Sequence, residues 1–263
     1  MAYKVQSRAV SFRGSQGEPL AGQLDFPLDA QADSAQSRYV IISHCFTCSK
    51  QTLTTARLAR ALAQGGIACL RFDFSGLGDS AGSFADSTFS SMVEDVACAA
   101  DFLAQHYQPA QALIGHSMGG TASLAASQLT RDSLSALCSL ITLASPAEPQ
   151  HVLHHFGEAM PRLRQGQMAQ IEVAGQLYPV KPAFVEDVES CDMQARMQNC
   201  QLPILTVSAA DDQLVAVEAA QTIVTYTQAV YESLLIQSAD HLFSDRAHAK
   251  RLADTVLDWL QRH

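Results

Sequence analysis

Gly115-His116-Ser117-Met118-Gly119 is a G-x-S-x-G pentapeptide set between an apolar run, Ala112 to Gly115, and a small-residue stretch, Gly120 to Leu129. That context predicts a strand, a tight turn and a helix, with Ser117 at the turn in a backbone conformation that small neighbours tolerate. The hydroxyl then stands above the sheet, and the first N–H groups of the helix point at negative charge forming there. A serine held in this way is a candidate nucleophile.

Outward from the pentapeptide, strand and helix signals alternate, which implies an α/β fold with a mostly parallel central sheet flanked by helices. Val5 to Phe12 and Leu20 to Pro27 read as an antiparallel pair joined by the Gly14-Ser15-Gln16-Gly17 turn. Tyr39 to Ser43 is a short β-rich run. Leu53 to Ala63 repeats apolar residues at helical spacing, and Gly65-Gly66 closes that helix. Ile67 to Phe74 is the next strand, followed by the loop Ser75-Gly76-Leu77-Gly78-Asp79-Ser80. Met92, Val96, Ala99 and Leu103 line one face of a helix. After the strand Leu137 to Leu143 the alternation stops. Pro146 to about Leu202 is polar, with a small hairpin over Ile171 to Lys181 around Gly175, and reads as an insertion covering the site. Alternation resumes with a strand at Pro203 to Ser208, a helix at Val217 to Thr227, a strand at Tyr231 to Ile236, and a last helix buried through Leu252, Val256 and Trp259.

Composition narrows the class. The chain has 263 residues, enough for one domain with a modest insertion, and 48% hydrophobic with 16% charged residues is ordinary for a globular protein. A net charge of −9, with scattered acidic residues, argues against nucleic acid as a partner. Met1 to Gln6 contains no apolar leader core, and no stretch has the length of a membrane span, so a cytoplasmic protein with no membrane partner is expected. The seven cysteines lack the spacing of a disulfide framework, and reduced thiols are the expectation. Cys45-Phe46-Thr47-Cys48 is formally a C-x-x-C; it reads either as a tight, partly buried loop or as a redox site.

A serine hydroxyl needs a base, and the base needs an orienting carboxylate. Both stand after late strands: Asp211 and Asp212 follow Pro203 to Ser208, and His241 follows Tyr231 to Ile236. The order Ser117, Asp212, His241 is the Ser…Asp…His order of an α/β-hydrolase arrangement.

On these residues the chain resembles the α/β-hydrolase superfamily over nearly its whole length. It is most similar to the serine hydrolases fused to or associated with OsmC-like domains. The likeness rests on Ser43-His44-Cys45-Phe46-Thr47-Cys48, on Leu70 through Gly78 (LRFDFSGLG), on Ile114 through Gly120, and on His151-Val152-Leu153-His154. With the chain ending at His263, the resemblance implies a stand-alone version, with a small cap insertion at about 147–202. It also implies an acid three residues before a valine, which favours Asp212, three before Val215, over Asp211 as an exposed turn residue. One oxyanion-hole N–H belongs to Met118, the residue after the nucleophile. By motif alignment the second belongs to Phe46, where Cys45 replaces the family's usual glycine.

The other polar residues take structural roles. His44 and His116 are motif neighbours, and Asp73 and Asp79 hold the Gly-rich turn. His151, His154 and His155 lack a local carboxylate or cysteine to complete a metal site, so no metal and no cofactor are expected. Asp240 points away from its neighbour His241. The expected activity is hydrolysis of a small-molecule carboxylic ester, with thioester or small amide as variants. Phe156, Met160, Leu163, Met168, Leu177 and Phe184 are the candidate apolar acyl pocket. Two alternatives stay open: a cofactor-free perhydrolase or acyltransferase on the same three residues, and a catalytically silent binding protein of this fold.

Overall fold

The structure, a computed structural model, describes residues 2–28 and 38–263. The alternating pattern folds as its periods require. An eight-stranded sheet forms from β1 (Val5–Arg13), β2 (Pro19–Pro27), β3 (Arg38–Ser43), β4 (Ile67–Phe72), β5 (Ala112–His116), β6 (Ser139–Leu143), β9 (Ile204–Ala209) and β10 (Tyr231–Ile236). The spatial order is β1-β2-β4-β3-β5-β6-β9-β10. β1 and β2 pair antiparallel and β2 joins β4 antiparallel, while every contact from β4 across to β10 is parallel.

The inner parallel strands are buried on both faces and correspondingly apolar, whereas the edge strand β10 is mostly exposed. In β3, Tyr39 and Ile41 face one core while Val40 and Ile42 face the other. The first core takes helix α2 (Phe89–His106) through Met92, Val96, Ala99 and Leu103, together with α3 (Met118–Ala126). The second takes α1 (Leu53–Gln64) and α8 (Arg246–Arg262), with Leu252, Val256 and Trp259 buried beneath the sheet. α1 ends at Gly65, and Gly66 follows with φ +94°. Helix α7 (Glu218–Thr225) links β9 to β10.

Between β6 and β9 lies a string of short elements. A 3₁₀ stretch (Pro149–Phe156) leads to α4 (Met160–Arg164), the hairpin β7 (Ala169–Val173) and β8 (Gln176–Val180), α5 (Pro182–Ser190) and α6 (Met193–Met197). The hairpin turns at Ala174-Gly175, both with positive φ. The inner side of this segment joins the first core: Phe156 of the 3₁₀ stretch and Phe184 of α5 stack at 5.4 Å, and both approach Phe46 of the β3–α1 loop. No helix among the described residues is long and apolar enough to cross a membrane.

Candidate active site

Strand β5 delivers Ser117 to the carboxyl edge of the parallel sheet, where α3 begins. Ser117 has φ 54° and ψ −128°. For a residue with a side chain such a conformation costs about 1–3 kcal/mol and persists where its surroundings over-determine it. Here the Ser117 N–H donates to the Leu143 carbonyl at 2.8 Å, and the Ser117 carbonyl accepts from Gly120 N at 2.8 Å. A Cβ on Gly119 would stand 2.3 Å from the His44 carbonyl oxygen. Only glycine lets the loop after β3 approach the start of α3 this closely.

The loops after β9 and β10 meet beside this turn. Asp211 N–H donates to the Ala239 carbonyl at 2.9 Å, tying one loop to the other. Asp212 Oδ2 lies 2.7 Å from His241 Nδ1, and Oδ1 accepts from Leu214 N at 2.8 Å and Val215 N at 2.9 Å. The Asp212 side chain is 1% exposed. Burial would raise its pKa, but the hydrogen bond to His241 and the two backbone N–H groups outweigh burial and hold it below the ordinary carboxylate value. An acceptor at Nδ1 places the imidazole proton there and leaves Nε2 as a free base. Asp211, by contrast, is exposed. Asp240 accepts from Ser244 N at 2.7 Å within its own turn.

His116 holds this arrangement from behind. Its Nε2–H donates to the His241 carbonyl at 2.8 Å, and its rings lie 4.8 Å from those of His241, centroid to centroid. Burial, and then the neighbouring His241, push its pKa down to about 3, so it is a neutral donor. The carbonyl clamp has no local sequence signal, because its partner lies 125 positions away.

The β3–α1 loop is fixed at several points. His44 is fully buried, donates through Nδ1 to the Cys45 carbonyl at 2.7 Å and accepts from Phe74 N through Nε2 at 3.2 Å. Burial lowers its pKa to about 4. Lys50 Nζ reaches Asp73 at 2.5 Å and Asp79 at 2.7 Å, which anchors the far end of the loop to the Gly-rich turn. Cys45 and Cys48 form a disulfide. Reduced thiols were the expectation for all seven cysteines; this pair departs from it because the reversal of the loop brings the two together. The positive φ of the loop falls on Thr47, at 58°, rather than on Cys45, so the Cys45 position accommodates a side chain. Phe46, between the two cysteines, is buried against Phe84, Phe156 and Phe184.

Ser117, His241 and Phe46 line one cavity of about 660 Å³. Its other walls include Leu214, Leu242, Val173, Ala174 and Tyr178, whose hydroxyl donates to the Thr47 carbonyl at 3.2 Å. The expected apolar lining from the insertion is corrected. Phe156, Leu163 and Phe184 are buried in the core, Met168 and Leu177 are 54% and 63% exposed, and Met160 packs against the core. None of the six borders this cavity. The imidazoles of His151, His154 and His155 pack against one another, with centroid distances of 4.9 and 3.8 Å. Among the described residues no group of three or more His, Cys, Asp or Glu is arranged to hold a metal ion.

The family model described as serine aminopeptidase, S33, matches residues 35–183, more than half of the chain. The chain belongs to that family of hydrolases. Its fold is the α/β-hydrolase fold, and it is an α/β-hydrolase enzyme. The esterase domain of a Rhodothermus marinus protein is similar over 98% of both chains, with 28% identity and a TM-score of 0.73. Est1E from Butyrivibrio proteoclasticus, solved with ferulic acid bound, matches over 96% of this chain and 98% of its own at 19% identity, with a TM-score of 0.77. Alpha/beta hydrolase domain-containing protein 10 from mouse matches over 97% and 99% at 17% identity, with a TM-score of 0.77. At those lower identities the likeness is one of fold. No curated protein matches the chain by sequence.

Proposed function

We propose that the protein hydrolyses a carboxylic ester through Ser117, His241 and Asp212, with thioesters or small amides as chemical variants. The observation that carries this reading is the strained Ser117 turn opening on the cavity that His241 also lines, with Asp212 bonded to the far imidazole nitrogen. Ser117 Oγ attacks the acyl carbon while its proton passes to His241 Nε2. Asp212 keeps the tautomer and stabilises the imidazolium. The Met118 and Phe46 N–H groups receive the oxyanion, each contributing about 2.7–4 kcal/mol of transition-state stabilisation. The C–O bond to the alcohol breaks, and the alcohol leaves with the proton from His241. Water, deprotonated by the same imidazole, then cleaves the acyl-enzyme and returns the proton to Ser117. This chemistry uses no metal or organic cofactor.

The segment at about 147–202 acts in this reading as a cap, placing Tyr178 and the β7–β8 turn over the site. Within the family we place the chain near the serine hydrolases associated with OsmC-like domains, on the motifs around Cys45, Asp73 and Ser117. A fluorophosphonate probe should label the native protein at Ser117, and Ser117→Ala should abolish both labelling and turnover of p-nitrophenyl acetate. Labelling elsewhere, or turnover that survives in the alanine variant, would sink the assignment. Labelling without hydrolysis, together with product formation when peroxide or an alcohol is added, would favour acyl transfer instead.

A further inference from the structure

Ser117 borders two cavities of very different size. The larger, about 660 Å³, contains His241 and Leu242. The smaller, about 30 Å³, lies between Met118, Val152, Val215 and the imidazoles of His151 and His154. Phe46, His155 and Leu214 border both and form the partition between them.

The chemistry decides which half of an ester enters which cavity. The departing oxygen takes its proton from His241, so the alcohol leaves through the larger cavity. The carbonyl oxygen turns toward the Met118 N–H, and Met118 borders only the smaller one. With Ser117, the oxyanion and the alcohol placed, the remaining substituent on the acyl carbon is directed into the smaller cavity. One water occupies roughly 10–15 Å³ of such space, so the smaller cavity takes about two heavy atoms. We propose that this hydrolase is a short-acyl esterase, holding an acetyl-sized acyl group beside Met118 and Val152 and a bulky apolar alcohol in the larger cavity. The inference rests on the hydrolase reading above.

The wall of the small subsite is part of the core. Val152 and Phe46 are 3% and 8% exposed, and Phe46 is wedged among Phe84, Phe156 and Phe184, so the partition has little room to retreat. The far wall is made of packed rings rather than mobile chains. His155 is lowered to about 4, and His151 is lowered too, first by burial and then by neighbouring imidazoles. Those two imidazoles are therefore neutral at neutral pH.

The test measures kcat/KM for p-nitrophenyl acetate, butyrate and octanoate, and separately for methyl and benzyl acetate, whose alcohols have similar acidity. Each methylene beyond the capacity of a subsite costs about tenfold, so acetate should exceed butyrate by about tenfold or more. Benzyl acetate should exceed methyl acetate by a similar factor. Val152→Ala and Val215→Ala should each raise the butyrate-to-acetate ratio several-fold. Val215→Ala also serves if the more buried Val152 variant does not fold. Butyrate or octanoate equal to acetate, or methyl equal to benzyl, overturns the proposal. Labelling rates with p-nitrophenyl methylphosphonate and butylphosphonate esters read the same preference without turnover. Labelling of Ser117 that favours the longer phosphonate refutes the short-acyl inference alone, whereas no labelling refutes the hydrolase reading with it.

Discussion

Replacing Asp212 by Asn changes one atom and no volume, yet the hydrogen bonds around this carboxylate dictate a large effect. Oδ1 accepts from two backbone N–H groups, Leu214 and Val215, while Oδ2 faces His241 Nδ1. An amide oxygen must take the place of Oδ1, because an NH₂ there would confront two donors. The NH₂ then faces His241 and can only donate, so Nδ1 becomes the acceptor and the imidazole proton moves to Nε2. The base that should take the Ser117 proton is already protonated. A wrong-tautomer substitution of this kind lowers kcat by about 10⁴, equivalent to about 5 kcal/mol in the barrier. Folding should change little, since both backbone acceptor bonds survive. The assay is kcat for p-nitrophenyl acetate at neutral pH, with thermal unfolding as the control for structure. Asp211→Asn, at an exposed position, should change kcat by no more than about twofold. A loss below about a hundredfold in well-folded Asp212→Asn would refute the tautomer argument, as would an equal loss in Asp211→Asn.

Stability should fall as the pH drops from neutral toward 4. His44 and His116, lowered to about 4 and about 3 from an ordinary 6.5, stay neutral when folded and take up protons when unfolded. The unfolded chain therefore binds more protons between roughly pH 6.5 and the folded values, and that window is where stability is lost. Urea unfolding across it should show a shallower pH slope in His116→Gln, which can still donate to the His241 carbonyl; an unchanged slope contradicts the linkage. Gly119→Ala should lower kcat by about a hundredfold or more, because its Cβ pushes the His44 carbonyl and the following loop away from Ser117. Native-like kinetics in that variant would show that the close approach is dispensable. Tyr178→Phe removes the hydroxyl bond to the Thr47 carbonyl and should raise KM for bulky alcohol esters more than it lowers kcat, as steady-state kinetics would show.

The parts of this molecule written in short-range periodicity were readable from the chain. β3 through β6 announce themselves as apolar runs, and α2 and α8 as 3.6-residue stripes, because burial on a sheet or helix face is a local pattern. Ends were less legible: the strand expected to reach Phe74 stops at Phe72, and the one expected from Leu137 starts at Ser139. Asp212 rather than Asp211 lies against His241, at the position three residues before Val215 that the family resemblance implied and that the residues by themselves do not single out. The insertion resisted reading. Its elements are short, and Met168 in the loop before β7 and Leu177 on β8 belong to no periodic run long enough to tell a wall facing the site from a face turned to solvent; both are exposed. The Cys45–Cys48 bond depends on a loop reversal that no composition reveals. The division of the site in two depends on where three distant loops converge, which is a tertiary property.

That bond has a consequence for the bench. Phe46 sits inside a ring closed by two sulfurs, while the flanking residues are tied separately, His44 to Phe74 and Lys50 to Asp73. Opening the ring leaves both ends anchored and frees only the few peptide units that would carry the oxyanion donor. A thiol added to the buffer as a preservative thus becomes a reactant, and protein purified with dithiothreitol is chemically different from protein purified without it. Rate constants from the two preparations describe two covalent species.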